Sequence, residues 1–163
     1  MKLITLYKIT FIFISLLPLS YAVDSKLKIT ATIVYPPTCS INNNNVININ
    51  FDKKIIIKNI DGVNYKKNIN FDINCGNSQK DWDLYLTIKG EKSSLDDAAL
   101  VVPGFDNLAI KMEYFDSKVI INEKFKISKN NPIILTAVPI KSKSSDPKPG
   151  LFMTQAVLLA EYL

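Results

Sequence analysis

The last fourteen residues, Gly150-Leu-Phe-Met-Thr-Gln-Ala-Val-Leu-Leu-Ala-Glu-Tyr-Leu163, constrain the fold more than any other stretch of this chain. Extended backbone sends alternate side chains to opposite faces. Phe152, Thr154, Ala156, Leu158, Ala160 and Tyr162 then line one face, and Leu151, Met153, Gln155, Val157, Leu159 and Glu161 the other. Both faces are largely apolar, which places such a strand in the middle of a buried sheet. Yet the sequence supplies no segment after Leu163 to pair with its outer edge. Long apolar edges are aggregation hazards that native proteins cover, so the expectation is a covering segment from elsewhere.

The other end reads as an address. Lys2 and Lys8 accompany an apolar run over 9–19 that closes in Ser20-Tyr21-Ala22. A basic start, a short apolar stretch and a small-x-small tripeptide describe a secretory signal peptide over 1–22, cleaved after Ala22. A retained membrane anchor is the weaker reading, because a span needs about 20 apolar residues. Cleavage after residue 22 of 163 leaves 141 residues from Val23, a length suited to one domain.

In an oxidising compartment the two cysteines, Cys39 and Cys75, are expected to pair. A loop of that length stabilises a fold by roughly 4 kcal/mol on chain-entropy grounds. The alternative, a metal or redox pair, finds no His, no C-x-x-C and no acidic cluster beside either cysteine. The net charge of +5 falls to +3 without the two leader lysines. Every basic residue is Lys, set singly or in pairs such as Lys53-Lys54 and Lys66-Lys67. Nucleic-acid sites favour Arg and clustered charge, so the lysines read as a solvated surface and no nucleic-acid partner is expected.

Enzymatic chemistry has little to work with. The lack of His excludes Ser-His-Asp and Cys-His sites. Carboxylate pairs suited to glycoside chemistry occur at Asp96 and Asp97 and at Glu113 and Asp116, but in polar turns or at strand edges, where solvated carboxylates are the norm. No phosphate loop or metal-ligand spacing is present, so neither a metal nor a cofactor is expected.

Between the termini, short alternating runs separated by turn residues predict strands over 26–35, 46–51, 55–58, 67–75, 83–89, 108–114, 119–121, 133–140 and 151–162. Pro36-Pro37 ends the first. Residues 42–45 and Asp61-Gly62 read as turns, 91–106 as a polar excursion, and 142–149 as a loop. Many short strands at this spacing argue an all-β sandwich.

Four local features resemble the subunits of chaperone–usher fimbriae, most nearly the minor subunits of P-pilus and type 1 fimbriae. They are the alternating arm leading into Pro36-Pro37-Thr38-Cys39-Ser40-Ile41-Asn42-Asn43, and Ile60-Asp61-Gly62-Val63-Asn64-Tyr65 between the cysteines. Ile73-Asn74-Cys75 at a strand end and the pattern from Gly150 to Tyr162 complete the set. The resemblance covers essentially the whole chain after the leader. It implies an incomplete immunoglobulin-like β-sandwich that lacks its last strand. A periplasmic chaperone lends that strand first, and at the outer-membrane usher the N-terminal arm of the next subunit replaces it.

On this reading residues 23–35 are a donor-strand extension and 36–163 the pilin domain. Leu27, Ile29, Ala31 and Ile33 insert into a neighbour, a burial worth roughly 4–8 kcal/mol. Gly150, Phe152, Ala156, Leu158 and Tyr162 border the chain's own acceptor groove. The family commonly has Gly where the arm crosses a shallow pocket; either Ala31 takes that place here or the register shifts by two residues. The implied role is a structural subunit exported through the periplasm to a surface fimbria and supporting adhesion. Within the family it is nearest an adaptor that neighbours other pilins and a tip adhesin. The alternatives are a shaft subunit, a fibre terminator, or a single-domain tip adhesin whose glycan site would use Trp82 and Tyr85, or Tyr114 and Phe115.

Overall fold

The computed structural model describes residues 24–51, 54–76, 82–128 and 131–163; the expected leader over 1–22 lies outside them. The chain divides into two units, Met1–Val34 and Tyr35–Leu163. In the first, residues 24–34 pair with no strand, and Leu27, Ile29 and Ile33 are 81–89% exposed. The alternation predicted a strand here, and nothing in the described residues supplies a ladder for it.

The second unit is built from strands. They are β1 (Cys39–Ile41), β2 (Lys67–Ile69), β3 (Ile73–Cys75), β4 (Leu84–Lys89), β5 (Ala99–Val101), β6 (Leu108–Tyr114), β7 (Ser117–Lys118), β8 (Lys124–Ile127), β9 (Leu135–Lys141) and β10 (Val157–Tyr162). One sheet has the order β10-β4-β8; the other runs β2-β9-β6-β5, with β7 on β6; β1 and β3 form a small pair. Every ladder is antiparallel. Pro139 lies in β9 beyond the residues that pair with β2, on the flank where a missing amide breaks no ladder.

Alternation decides what each strand buries. Ile88 from β4 meets Leu100, Ile110, Met112, Leu135 and Ala137 of the opposing sheet in one cluster, so the two sheets pack as a sandwich. Leu84, Leu86 and Ile127 continue the core toward the Cys39–Cys75 disulfide and Tyr162. The fold class is therefore the all-β sandwich read from the sequence.

Several boundaries differ, for physical reasons. The strand expected over 67–75 is two strands in different sheets, because its alternation runs through the crossover at residues 70–72. Ile57–Asn59 is a 3-10 turn despite three consecutive β-branched residues. Residues 119–121 form no strand, although Val119 donates its amide to the Met112 carbonyl, Ile121 to that of Asp97, and both side chains are buried. Inside the supposed polar excursion, Ala99–Val101 forms β5 on the edge of the larger sheet. Asn42, Asn43 and Asn44 all take positive φ, which Asn tolerates better than most residues.

The Ile60-to-Tyr65 segment has a definite structural task. The Asp61 carboxylate accepts the Val63 and Asn64 amides at 2.9 and 2.8 Å. Gly62 takes φ +84°, and a Cβ there would lie 3.3 Å from Ile140. The turn therefore lies over the outer face of β9. Beside it, Lys66 reaches Glu113 of β6 at 2.7 Å, and Lys111 meets the same carboxylate at 2.6 Å.

Candidate functional site

Two extended segments have no ladder partner among the described residues, and they face each other. Residues 46–51 turn Ile47, Ile49 and Phe51 toward the core and leave Val46 80% exposed. Residues 151–156 lead into β10 and turn Phe152 and Thr154 inward. Between them runs a groove of about 980 Å³, floored by Ile88, Leu100, Ile110, Met112 and Leu135. Among the described residues β10 pairs with β4 alone, so its other edge carries no ladder there.

One end of the groove is aromatic. Phe152 stacks 5.9 Å from Phe51 on the opposite wall and 6.5 Å from Phe105. Gly150 lies so close to Phe105 that a Cβ would come within 3.1 Å of the ring. Thr154 donates its hydroxyl to the Val101 carbonyl at 2.6 Å, which ties this wall to β5. Gly90 closes the same corner, where a Cβ would come within 2.6 Å of Leu100. At the other end Leu163 and Asp83 exchange both backbone hydrogen bonds, at 2.9 and 3.2 Å, and so extend the β10–β4 ladder.

Of the acceptor residues named from the sequence, Gly150, Phe152, Ala156 and Leu158 line the groove. Tyr162 packs instead in the cluster that holds the disulfide and Ile41. The donor residues Leu27, Ile29, Ala31 and Ile33 belong to the separate N-terminal unit, and all are exposed. Sequence reasoning read the alternation of Ile47, Ile49 and Phe51 but did not assign that segment to the groove. The floor residues carried no signal beyond being core.

The carboxylates considered for catalysis are committed elsewhere. Asp96 caps the Ala98 amide at 3.0 Å and pairs with Lys118 at 2.8 Å; Asp97 pairs with Lys92 at 3.3 Å. Burial pushes the Glu113 carboxyl up, but hydrogen bonds from Lys111 and Lys66 outweigh it and hold the group below the ordinary range. The Lys66 ammonium likewise holds Asp116 down. Among the aromatics considered for a glycan site, Tyr114 stacks 5.4 Å from Phe125 and 4.7 Å from Phe115. Tyr85 stands on the outer face of β4 between Glu161 and Lys126. Among the described residues no group of His, Cys, Asp or Glu could hold a metal, and no helix is long and apolar enough to cross a membrane.

The described residues thus form an antiparallel β-sandwich with an apolar groove between two extended segments. The chain belongs to the fimbrial protein family, whose sequence model matches residues 27–162. It is 29% identical over 151 residues to the uncharacterized fimbrial-like protein YfcQ of Escherichia coli (strain K12), covering 88% of this chain and 91% of that one. The fold is similar to the P pilus rod subunit PapA, with a TM-score of 0.56 and 19% identity over 85% of this chain and all of that one. A subunit of a chaperone–usher pilus studied for rod uncoiling gives 0.58 and 20%, over 90% of this chain and all of that one. The chain is thus a fimbrial protein, with the fold of subunits from solved pili.

Proposed function

We propose that this chain is a minor fimbrial subunit joined to its neighbours by donor-strand exchange. The groove between residues 46–51 and 150–158 carries the reading, because its apolar floor and ladder-free walls are what an inserted strand would complete. The exposed alternation of Leu27, Ile29, Ala31 and Ile33 supplies a matching arm for a neighbour. The partners follow: a periplasmic chaperone that fills the groove first, the outer-membrane usher, and adjoining pilins. Residues 1–22 serve as the cleaved export signal. The P-P-x-C-x-I-N-N and I-D-G-x-N-Y segments favour an adaptor near the tip and its adhesin.

Deleting residues 23–33 tests the arm. The shortened subunit is expected to fold on its chaperone and to accept a donor peptide, yet fail to join a preceding groove. Loss of folding on deletion would instead make the arm a strand of the chain's own sandwich and overturn the proposal.

A further inference from the structure

Phe115 breaks a local rule, and the sandwich gains little from it. β6 and β7 are joined through Phe115 and Asp116 at φ +48° and +58°, with Tyr114 opposite Ser117. Two-residue loops with both φ positive favour Asn-Gly, and a bulky side chain there is strained. The other positive-φ side chains among the described residues have an account. Asn42, Asn43, Asn44 and Asn122 tolerate that backbone, and Asn122 also exchanges two 3.1 Å hydrogen bonds with Gly90. The Tyr65 hydroxyl accepts the Ile56 amide at 3.1 Å, and Asp116 pairs with Lys66 at 2.7 Å. The Phe115 ring meets Tyr114 at 4.7 Å, in an edge-to-face arrangement, and stays 45% exposed. Strain kept at an exposed side chain points to a use outside the molecule.

The ring belongs to a patch. Tyr114, Ile133 and Tyr162 pack in one cluster with the Cys39–Cys75 disulfide. The residue after each of them, Phe115, Ile134 and Leu163, is exposed, so this end of the sandwich carries an apolar face. The Phe115 amide donates to the Ile134 carbonyl at 3.0 Å and fastens two of the three together. The arm departs from the same end, where the Gly76 amide donates to the Thr38 carbonyl at 3.3 Å and Pro37 lies against Gly76. Six positions separate Ile33 from Cys39, a reach of at most about 20 Å, and Pro36-Pro37 stiffens it. A neighbour that holds Ile33 is thereby tethered beside this face at high effective concentration.

We propose that Phe115, with Ile134 and Leu163, is an anchor that packs against the subunit receiving this chain's arm, outside the groove. The proposal rests on the donor-strand reading above. The partner surface is an apolar hollow on that neighbour, sized for one ring and carrying a donor for Asp116, whose side chain is 84% exposed. The left-handed backbone and the Tyr114 contact hold the ring in one pose, so docking orders little that is free beforehand. Buried aromatic anchors dominate the energetics of interfaces. The consequence for assembly is a joint fixed in angle, where the arm alone would leave it to pivot.

Photo-cross-linking in fimbriae assembled from the full chain with its chaperone and usher tests the contact. Benzoylphenylalanine, a photoreactive aromatic, replaces Phe115 in one variant and Thr30 of the arm in another. Both are expected to capture the same neighbouring pilin, identified by mass spectrometry. A probe at Val63, in the turn over Ile140 at the far end of β9, should capture none of it; equal capture there overturns the assignment to this end. Capture at Thr30 with nothing, or a different protein, at Phe115 overturns the anchor and leaves the donor-strand reading intact. No capture at Thr30 removes both. Phe115→Asn separates anchoring from packing, because Asn relieves the strain and removes the ring. The variant's chaperone complex should melt about 4 °C higher, while the assembled fimbria should shed the subunit at a lower temperature than the parent. Shifts of the same sign in both measurements overturn the proposal.

Discussion

Glu113 is a carboxylate held 5% exposed on a strand whose other face builds the core. Its two lysine partners keep it ionised against the cost of burial, so its folded-state value lies below the ordinary 4.5. The sign follows: the stabilisation is complete above the unfolded value and is lost as pH falls through the folded one. Glu113→Gln should cost about 2 kcal/mol near neutral pH, by removing the charge that Lys66 and Lys111 share. Urea titrations of both proteins should show that gap closing below pH 4.5; a gap independent of pH would mean the pair contributes packing alone. Thr136 stands opposite Glu113 in the ladder, with a buried hydroxyl that has no hydrogen-bond partner among the described residues. Thr136→Val keeps the shape and removes that group, so it should raise stability, by up to about 1 kcal/mol. A lower urea midpoint would show that the hydroxyl is satisfied after all.

At the scale of elements, β1 is three residues long, and its one ladder is with β3, where Cys39 stands opposite Cys75. The disulfide closes a separation of 36 residues, so replacing both cysteines by Ala should cost about 4 kcal/mol through the unfolded chain. A drop in the urea midpoint together with loss of amide protection in β1 and β3 is the expected result; intact protection would mean that packing with Tyr162 and Ile41 suffices. The elements also show what the sequence could reveal. β4, β6 and β9 were legible because each is long, alternating and bounded by turn residues. β5 was hidden, since Ala99-Leu100-Val101 is too short to alternate visibly beside polar neighbours. β8 was missed for the same reason, its Lys124-Phe-Lys-Ile127 being a single short alternation. Residues 46–51 and 151–156 announced themselves as strand and yet form no ladder among the described residues. Periodicity reports which faces a segment shows and says nothing about whether a partner strand is in the same chain. The floor of the groove was illegible because Ile110 and Leu135 carry the same pattern in a closed sandwich.

The whole molecule carries two consequences of that open edge. The groove leaves backbone donors and acceptors on both walls without ladders, and the outer face of the terminal segment shows Leu151, Met153, Val157 and Leu159, at 97, 70, 58 and 38% exposure. An uncovered apolar stripe beside an unpaired edge is the arrangement that natural sheets avoid, because a second molecule can add to it in any register. The subunit without a donor should therefore associate non-specifically as its concentration rises. Leu151→Lys and Met153→Lys together place charge at the exposed end of the stripe without touching the inward face that holds Phe152 and Thr154. Light scattering over a concentration series should show the onset of association moving to severalfold higher concentration, with the melting midpoint almost unchanged. If the onset stays in place while melting is unaffected, association runs through the groove itself, and filling the groove with the arm peptide should abolish it instead.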